Sequence, residues 1–399
     1  MRKKIIIISG VFPPEPLTSA YLNYDLACAL SNDYDVTVLR PMPSRPIGVR
    51  YPEPLLPDDL PFTCITLKSY IYPQSKMLGR LRESISFGKV CASYIKRHRN
   101  YIDFIYNASW QLFGCYLVAK SAVKYGIPYI VPIQDIYPES VLGISTKNIF
   151  KRALSHILMN MDKFYQKKSY LVRTISEEMA NYLSNTRNIP KDHYLIVNNW
   201  QNDDVYVNNI AHLNNDKIIF QFVGSVNAHA NVELMISAFA NADLQNAELR
   251  IYGSGTNKKH CQILTKELGL DNVTFSSVPR SQVPNVQAEA DVLLVALPKG
   301  YAGLCLPSKI TSYMLSGKAI LASIDSPSAS SRYIHEAKCG IVVEPDDVNS
   351  LANAFKRIAQ MDRNEIYNWG INSKKFANKY LSRKSNLDIV INAINKILQ

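Results

Sequence analysis

What this chain lacks removes several classes of protein at once. No apolar run approaches the roughly 18–20 residues that cross a bilayer, so a helical membrane protein is not expected. Seven cysteines, odd in number and scattered without CxxC or CxxH spacing, argue against a disulfide framework or a zinc site. They fit reduced thiols in a cytoplasm. No GxGxxG is followed by an acidic residue at ribose distance, and no Walker A sequence occurs, so neither a dinucleotide enzyme nor a P-loop NTPase is supported. Acidic residues are outnumbered: 33 Asp and Glu against 45 Lys and Arg leave a net charge of +12. That excess calls for an acidic partner, and nucleic acid, anionic lipid and phosphorylated small molecules all qualify. No helix-turn-helix, finger or RNP-type signal occurs, so no nucleic-acid partner is expected.

What is present is alternation. With 399 residues, a norm of roughly 150 per domain predicts two or three domains. The opening MRKKIIIISGVF imitates a signal peptide, but its apolar core is short and Pro13-Pro14-Glu15 follows, so it reads as a first strand. Strands at Lys4–Ser9, Asp35–Leu39, Phe62–Leu67, Phe104–Asn107, Pro128–Ile133 and Leu171–Ile175 alternate with helices at Ser19–Leu30, Lys76–Arg97, Cys115–Tyr125, Lys147–Lys168 and Ser176–Leu183. The Asn- and Asp-rich stretch Gln201–Asp216 reads as a linker. The pattern then restarts from Lys217 and runs to terminal helices over Tyr367–Gln399. Strand–helix alternation of this kind implies parallel, doubly wound sheets, so the fold class is α/β with two such units. In open sheets of this type, ligands sit beyond the carboxyl ends of the strands.

One stretch organises the second unit: Gly300–Ile320, GYAGLCLPSKITSYMLSGKAI, between the strand signals Val292–Leu297 and Ala319–Ser323. Pro307-Ser308 opens a helix and Gly317 closes it. A helix start carrying Ser308 and Lys309 at the mouth of a parallel sheet is an anion site, because free amides, the dipole and a full charge converge there. The plainer alternative is a strand–helix corner with a solvated lysine. Two glycine turns after strands, FVGSVN with Gly224, Ser225 and Asn227, and LRIYGSG with Gly253 and Gly255, can bring backbone amides close to a ligand, or merely turn the chain.

In order, FVGSVN, LRIYGSG, LPSKITSYMLSGKAILAS and AKCGIVVEPDD resemble the donor-binding domain of family 4 glycosyltransferases, retaining enzymes of the GT-B fold. The N-terminal pieces IIISGVFPPEP, PYIVPIQDIYPES, RTISEEM and IVNNWQNDDVY agree, and together they look closest to the WbuB-like branch, which builds bacterial O-antigen and capsular polysaccharide. The resemblance implies two Rossmann-like domains facing across a cleft. Residues 1–205 would bind the acceptor, residues 217–375 the nucleotide sugar, and a helix over 376–399 would return to the first domain. It implies donor contacts at Gly224, Ser225, Asn227, Gly253, Gly255, Val278, Arg280, Leu304, Pro307, Ser308, Lys309 and Ser312. Acceptor contacts are implied at Pro14, Glu15, Ser19, Tyr137 and Asn199.

The departures from the family pattern are specific. Its E-x7-E pair is replaced by Leu304 and Ser312, the cations that clamp the diphosphate by Ser225 and Ala230, and the first-loop glycine pair by Leu17-Thr18. Lys309 is then the obvious cation for a leaving diphosphate, with Arg280 as a second candidate or an ordinary surface arginine. Asp135, where relatives have His-Asp, is the candidate proton acceptor, with Glu139 the alternative; a helix cap is the competing role for Asp135. Asp203-Asp204 is not a D-x-D metal motif, so no metal and no cofactor beyond the nucleotide-sugar co-substrate is expected.

Lys76–Arg99, KMLGRLRESISFGKVCASYIKRHR, is basic and amphipathic. It fits either an anionic membrane face or an ordinary helix packed on the sheet. The expectation is a cytoplasmic, peripherally membrane-associated glycosyltransferase. It would move a sugar, UDP-linked by family preference, to a lipid-linked glycan in surface polysaccharide assembly. A non-catalytic partner subunit and a UDP-sugar 2-epimerase are the rival expectations.

Overall fold

The computed structural model describes residues 2–51, 53–74, 76–110, 112–139, 149–206, 217–300 and 308–399, with side chains of 149–152 left aside. The chain divides into two compact units, Met1–Val197 together with Leu387–Gln399, and Asn198–Asn386.

In the first unit, β1 (Lys4–Ser9), β2 (Asp35–Arg40), β3 (Thr63–Thr66), β4 (Phe104–Ala108), β5 (Tyr129–Pro132), β6 (Leu171–Thr174) and β7 (Tyr194–Ile196) form one sheet in the order β3-β2-β1-β4-β5-β6-β7. Every pairing is parallel. The helices are α1 (Thr18–Leu30), α2 (Met77–His98), α3 (Phe113–Lys124), α4 (Ile149–Lys168) and α5 (Glu177–Arg187). A parallel strand is covered on both faces, which is why β1 is a continuous apolar run with Ile5 to Ile8 all fully buried. Ser176 starts α5 by accepting the Met179 amide at 3.1 Å, as the SEE signature predicts. Tyr34 donates to Asn395 at 2.6 Å, tying the last helix of the chain to the turn between α1 and β2 within this unit.

The second unit repeats the plan with β8 (Ile218–Val223), α6 (Val232–Ala242), β9 (Ala247–Tyr252), α7 (Lys258–Glu267), β10 (Val273–Ser276), α8 (Val283–Ala288), β11 (Val292–Ala296), α9 (Ser308–Leu315), β12 (Ala319–Ser323), α10 (Ala329–Ala337), β13 (Gly340–Val343), α11 (Val348–Ala359) and α12 (Arg363–Tyr380); the last helix, α13 (Arg383–Leu398), begins in this unit and from Leu387 onward belongs to the first. The order β10-β9-β8-β11-β12-β13 is again all parallel. Alternate residues of β11 serve opposite faces. Val292, Leu294 and Ala296 join the core under α6 and α11, where Phe220, Phe239 and Phe355 pack edge to face. Leu293 and Val295 join Tyr313, Met314 and Ile334 on the other side.

Residues 198–206 belong to this second unit, which shifts the domain boundary from the expected 205 to 197 and the return point from 376 to 387. The bonds explain the shift. Asn198 takes the Tyr333 hydroxyl at 2.7 Å and donates its amide to Asn386 at 2.9 Å. Lys374 donates to the Tyr206 carbonyl at 2.9 Å. Asp203 and Asp204 receive Arg383, so that acidic pair is spent on a structural contact.

Candidate functional site

Each sheet reverses strand order once, between β1 and β4 and between β8 and β11, and a doubly wound sheet opens its ligand crevice at such a point. In the second unit, the β8 turn and α9 meet there. Tyr313, fully buried on α9, accepts the Val223 amide at 3.0 Å and donates to the Val223 carbonyl at 3.1 Å. The β8–β11 ladder runs only as far as Gln221, so this one hydroxyl satisfies the backbone that the ladder leaves open. It also fixes where α9 starts relative to β8.

Lys309 lies one turn earlier on α9, with its aliphatic stem across Gly224. A Cβ at Gly224 would stand 2.4 Å from Lys309 Cε, so a side chain there would displace the end of the lysine, and the φ of +153° favours glycine besides. The ammonium sits 5.3 Å from the Phe222 ring centroid, and among the described residues no carboxylate pairs with it. Burial lowers its pKa from the ordinary lysine value. A half-buried, unpaired cation beside a glycine turn is a made-ready anion site. Gly253 is required for a different reason: a Cβ there would meet the Gly224 carbonyl at 1.8 Å. The two glycine turns therefore continue the β8–β9 ladder, with Gly224 N–H to Tyr252 O and Val226 N–H to Ser254 O both at 2.9 Å.

The remaining donor-side candidates divide. Ser308 is exposed at the α9 start, its carbonyl taking Gln201 Nε2 at 2.7 Å. Ser225 is exposed on the turn, and Val278 is half-buried on the loop after β10. Arg280 is exposed too, close enough to Tyr206 for its charge to pull against the burial that raises that hydroxyl's pKa. Two expectations are corrected. Asn227 spends its side-chain oxygen capping the His229 and Ala230 amides at 3.1 Å. Ser312 is buried, its hydroxyl donating to the Lys309 carbonyl at 3.0 Å and accepting from Gln287 at 3.4 Å. It is packed inside the fold, because its place on α9 faces Gln287 of α8. Leu304 and Pro307 lie outside the described residues. The chain leading to them is anchored by Asp346 on the Lys299 amide at 3.0 Å and Asp325 on the Gly300 amide at 2.8 Å.

In the first unit, Ser19 donates to Gln134 at 2.7 Å, so the start of α1 and the segment after β5 meet as expected. Asp135 is next to Gln134. The residue is exposed, no described residue hydrogen-bonds its carboxylate, and partial desolvation still raises its pKa. Tyr137 follows, half-buried, its hydroxyl pKa raised by burial and by the charge of Asp135.

Glu139 is different. Arg187, fully buried on α5, binds it through two nitrogens, one at 2.8 Å, while also donating to the Tyr137 carbonyl at 2.6 Å and to Asp162 at 2.7 Å. Burial pushes Glu139 up, but the Arg187 hydrogen bonds and charge outweigh it and hold the carboxyl below its ordinary value. It is a structural anchor rather than the alternative base. Glu15 is corrected for the same reason: it is buried, accepting the Ser44 and Arg45 amides at 2.9 Å each, and organises the 44–45 turn. Pro14 stands half-buried beside it. Asn199 belongs to the second unit.

Comparison with known proteins agrees with these two sheets. Residues 208–376 match the family model Glycosyl transferases group 1. The chain is 25% identical over 261 residues to the probable glycosyltransferase WbjE of Pseudomonas aeruginosa, covering 60% of this chain and 62% of that one. It thus spans about three fifths of that curated relative. Among solved structures, Anabaena Alr3699/HepE in complex with UDP matches with a TM-score of 0.68 at 14% identity, over 98% of this chain and 100% of the other. The apo form of the lipopolysaccharide outer core galactosyltransferase WaaB matches at 0.66 and 14%, over 99% of both chains. The fold is GT-B.

Within this GT-B chain, pattern reading overlooked two residues that shape the second unit's crevice, Tyr313 and Lys258. Tyr313 looks like one more apolar-face residue of α9, and its hydroxyl role depends on where the β8 ladder ends. Lys258, at the start of α7, donates to the Gly253 carbonyl at 2.8 Å, the Ser276 carbonyl at 3.3 Å and Ser277 Oγ at 3.1 Å. It gathers the ends of β9 and β10. Nothing in the stretch TNKKH distinguishes that lysine from its solvated neighbour.

Proposed function

We propose that this protein is a retaining glycosyltransferase that takes a nucleotide-diphosphate sugar, by preference a UDP-sugar, and transfers the sugar to a lipid-linked oligosaccharide. The setting is bacterial surface polysaccharide assembly, of the O-antigen and capsule kind built by the WbuB-like branch. The observation that carries this reading is the unpaired, partly desolvated Lys309 ammonium laid over the Gly224 turn at the start of α9. Charge developing on a leaving diphosphate meets a fixed cation and the first amides of α9 there, stabilisation that costs no reorganisation at the moment of reaction. This site replaces the missing Arg and Lys clamp. The UDP named for the Anabaena structure, the transferase named for WbjE and the matched family model support it.

The first unit supplies the acceptor side. Asp135 accepts the proton of the incoming hydroxyl, with the departing phosphate guiding attack on the same face. No protein nucleophile is used, so positioning and leaving-group stabilisation supply the rate. The exposed cations Lys89, Lys96, Arg97 and Arg99, with exposed Met77 and Leu78, give α2 a surface for an anionic membrane. The other face of α2 buries Phe87, Cys91 and Ile95, so packing and membrane contact are compatible roles.

The test is calorimetric. Lys309→Ala is expected to weaken UDP binding at least tenfold and leave uridine binding unchanged. Equal losses for both ligands would remove Lys309 from the phosphate site. Slow release of free sugar from a UDP-sugar by the pure protein separates an enzyme from a non-catalytic subunit, and absence of 2-epimerised product separates it from an isomerase.

A further inference from the structure

The first unit holds a cavity of about 700 Å³ that no sequence motif announced, beneath the proline-rich segment between β2 and β3. Most of its wall is apolar: Met42, Leu55, Leu56, Leu60 and Phe62 line it. One member does not fit such a wall. Arg40, at the carboxyl end of β2, is 4% exposed and lines this space. It donates to Thr66 Oγ1 at 3.2 Å and to the Pro13 carbonyl at 2.5 Å, both neutral acceptors. Among the described residues no carboxylate forms an ion pair with it. The acidic members of the lining, Glu53 and Asp58, are exposed on the overlying segment, as is Lys68. Ser69, also in the lining, has a buried hydroxyl with no partner.

A buried charge held only by neutral groups is costly, and proteins normally supply a counter-ion or relocate the charge. Here the cavity is the free space beside the charge, and its volume is in the range that takes a small ligand. The two halves of the wall ask for two halves of one molecule. We infer that this cavity binds an amphipathic anion: an apolar chain along the leucine-lined wall, ending in a phosphate headgroup on Arg40 and Ser69. The guanidinium suits a phosphate because its planar donors can meet two oxygens at once. Pro13 O, which orients Arg40, belongs to the same loop as Pro14, so the headgroup lies beside that proposed acceptor residue. The inference rests on the transferase reading only for the identity of the amphiphile, which is then the lipid carrier of the acceptor.

Dodecyl phosphate below its micelle concentration is the probe, with dodecanol and inorganic phosphate as its separated halves. Calorimetry on the full chain is expected to show dodecyl phosphate binding at least tenfold tighter than dodecanol and inorganic phosphate not binding. Arg40→Met should erase the advantage over dodecanol, and Leu56→Asp should abolish binding of both. Cys64, which lines the cavity with a thiol that burial pushes up, adds a local readout: dodecyl phosphate should slow its alkylation, followed by mass spectrometry of its peptide. Equal binding of dodecanol, an unaffected Leu56→Asp variant or an unchanged Cys64 alkylation rate would each overturn the inference. Binding of inorganic phosphate alone at comparable strength would also overturn it, assigning Arg40 to free anions. UDP binding is measured alongside. Intact UDP binding without dodecyl phosphate binding refutes the cavity and spares the transferase reading, and the reverse result does the opposite.

Discussion

Lys318 offers the sharpest physical test of the fold. It begins the turn into β12, is 6% exposed, and burial drives its pKa down to about 8 from 10.5, with Asp291 offsetting part of the effect. Moving an amine that far represents about 3 kcal/mol of differential interaction between its two protonation states. The unfolded chain binds the proton more tightly than the folded chain, so folding is penalised by the charged form. The penalty is complete below pH 8, shrinks between about 8 and 10.5, and is gone above. Lys318→Met keeps the aliphatic stem and removes the charge. Its stability relative to wild type is therefore expected to be about 3 kcal/mol more favourable at pH 7 than at pH 10.5, on top of a pH-independent offset from the contacts that the amine makes. Urea denaturation of both proteins at pH 7, 8, 9 and 10 reads the difference directly, and titration of the tyrosines cancels in the comparison. A difference constant with pH would show that the amine keeps its ordinary pKa in the fold and would refute the argument.

Tyr313→Phe leaves the Val223 amide and carbonyl without their partner in a buried setting, which costs about 1–3 kcal/mol; UDP affinity should fall with it, and a stable variant with unchanged UDP affinity would show that α9 is placed by packing alone. Asp135→Asn should preserve UDP-sugar affinity while lowering turnover, and the acid limb of the pH–rate profile, set above an ordinary aspartate by the partial desolvation of its carboxyl, should disappear; an unaltered rate would take Asp135 out of the reaction. Reversing charge at Lys89, Lys96 and Arg97 should abolish binding to phosphatidylglycerol vesicles at low salt and leave the fold intact by circular dichroism, whereas retained binding would assign α2 to packing only.

The strands were the readable part of this chain because burial on both faces writes itself as uninterrupted Val, Ile and Leu. Lys4–Ser9 and Ala319–Ser323 fall where the apolar runs place them, residue for residue. Two elements escaped. Tyr194–Ile196 is a three-residue edge strand, too short for a pattern to register. Ala329–Ala337 starts within SPSASS, which reads as a loop. There Ser328 and Ser331 cap one another's backbones, with serine taking the place usually held by Glu or Gln, and the helix begins inside the serine run.

The candidate site was legible to a similar degree and failed for related reasons. Glycine turns and a lysine after a helix-breaking proline can be seen in a string of letters. Whether a carboxylate is free cannot. Asp135 and Glu139 are four residues apart and chemically alike, yet Arg187, some fifty positions on, claims the second and leaves the first. The same holds for Arg40: only the fold surrounds it with leucines and neutral acceptors.

Local order and apolar patterning, then, were settled by the amino-acid string itself: two parallel α/β sheets, the ends of their strands, and the helix that starts at Ser308. Three-dimensional packing decided which charged groups are spent on one another and which stand open, because ion pairs and hydrogen bonds form between residues that the chain brings together from far apart. Lys309 and Asp135 owe their readiness to that distribution.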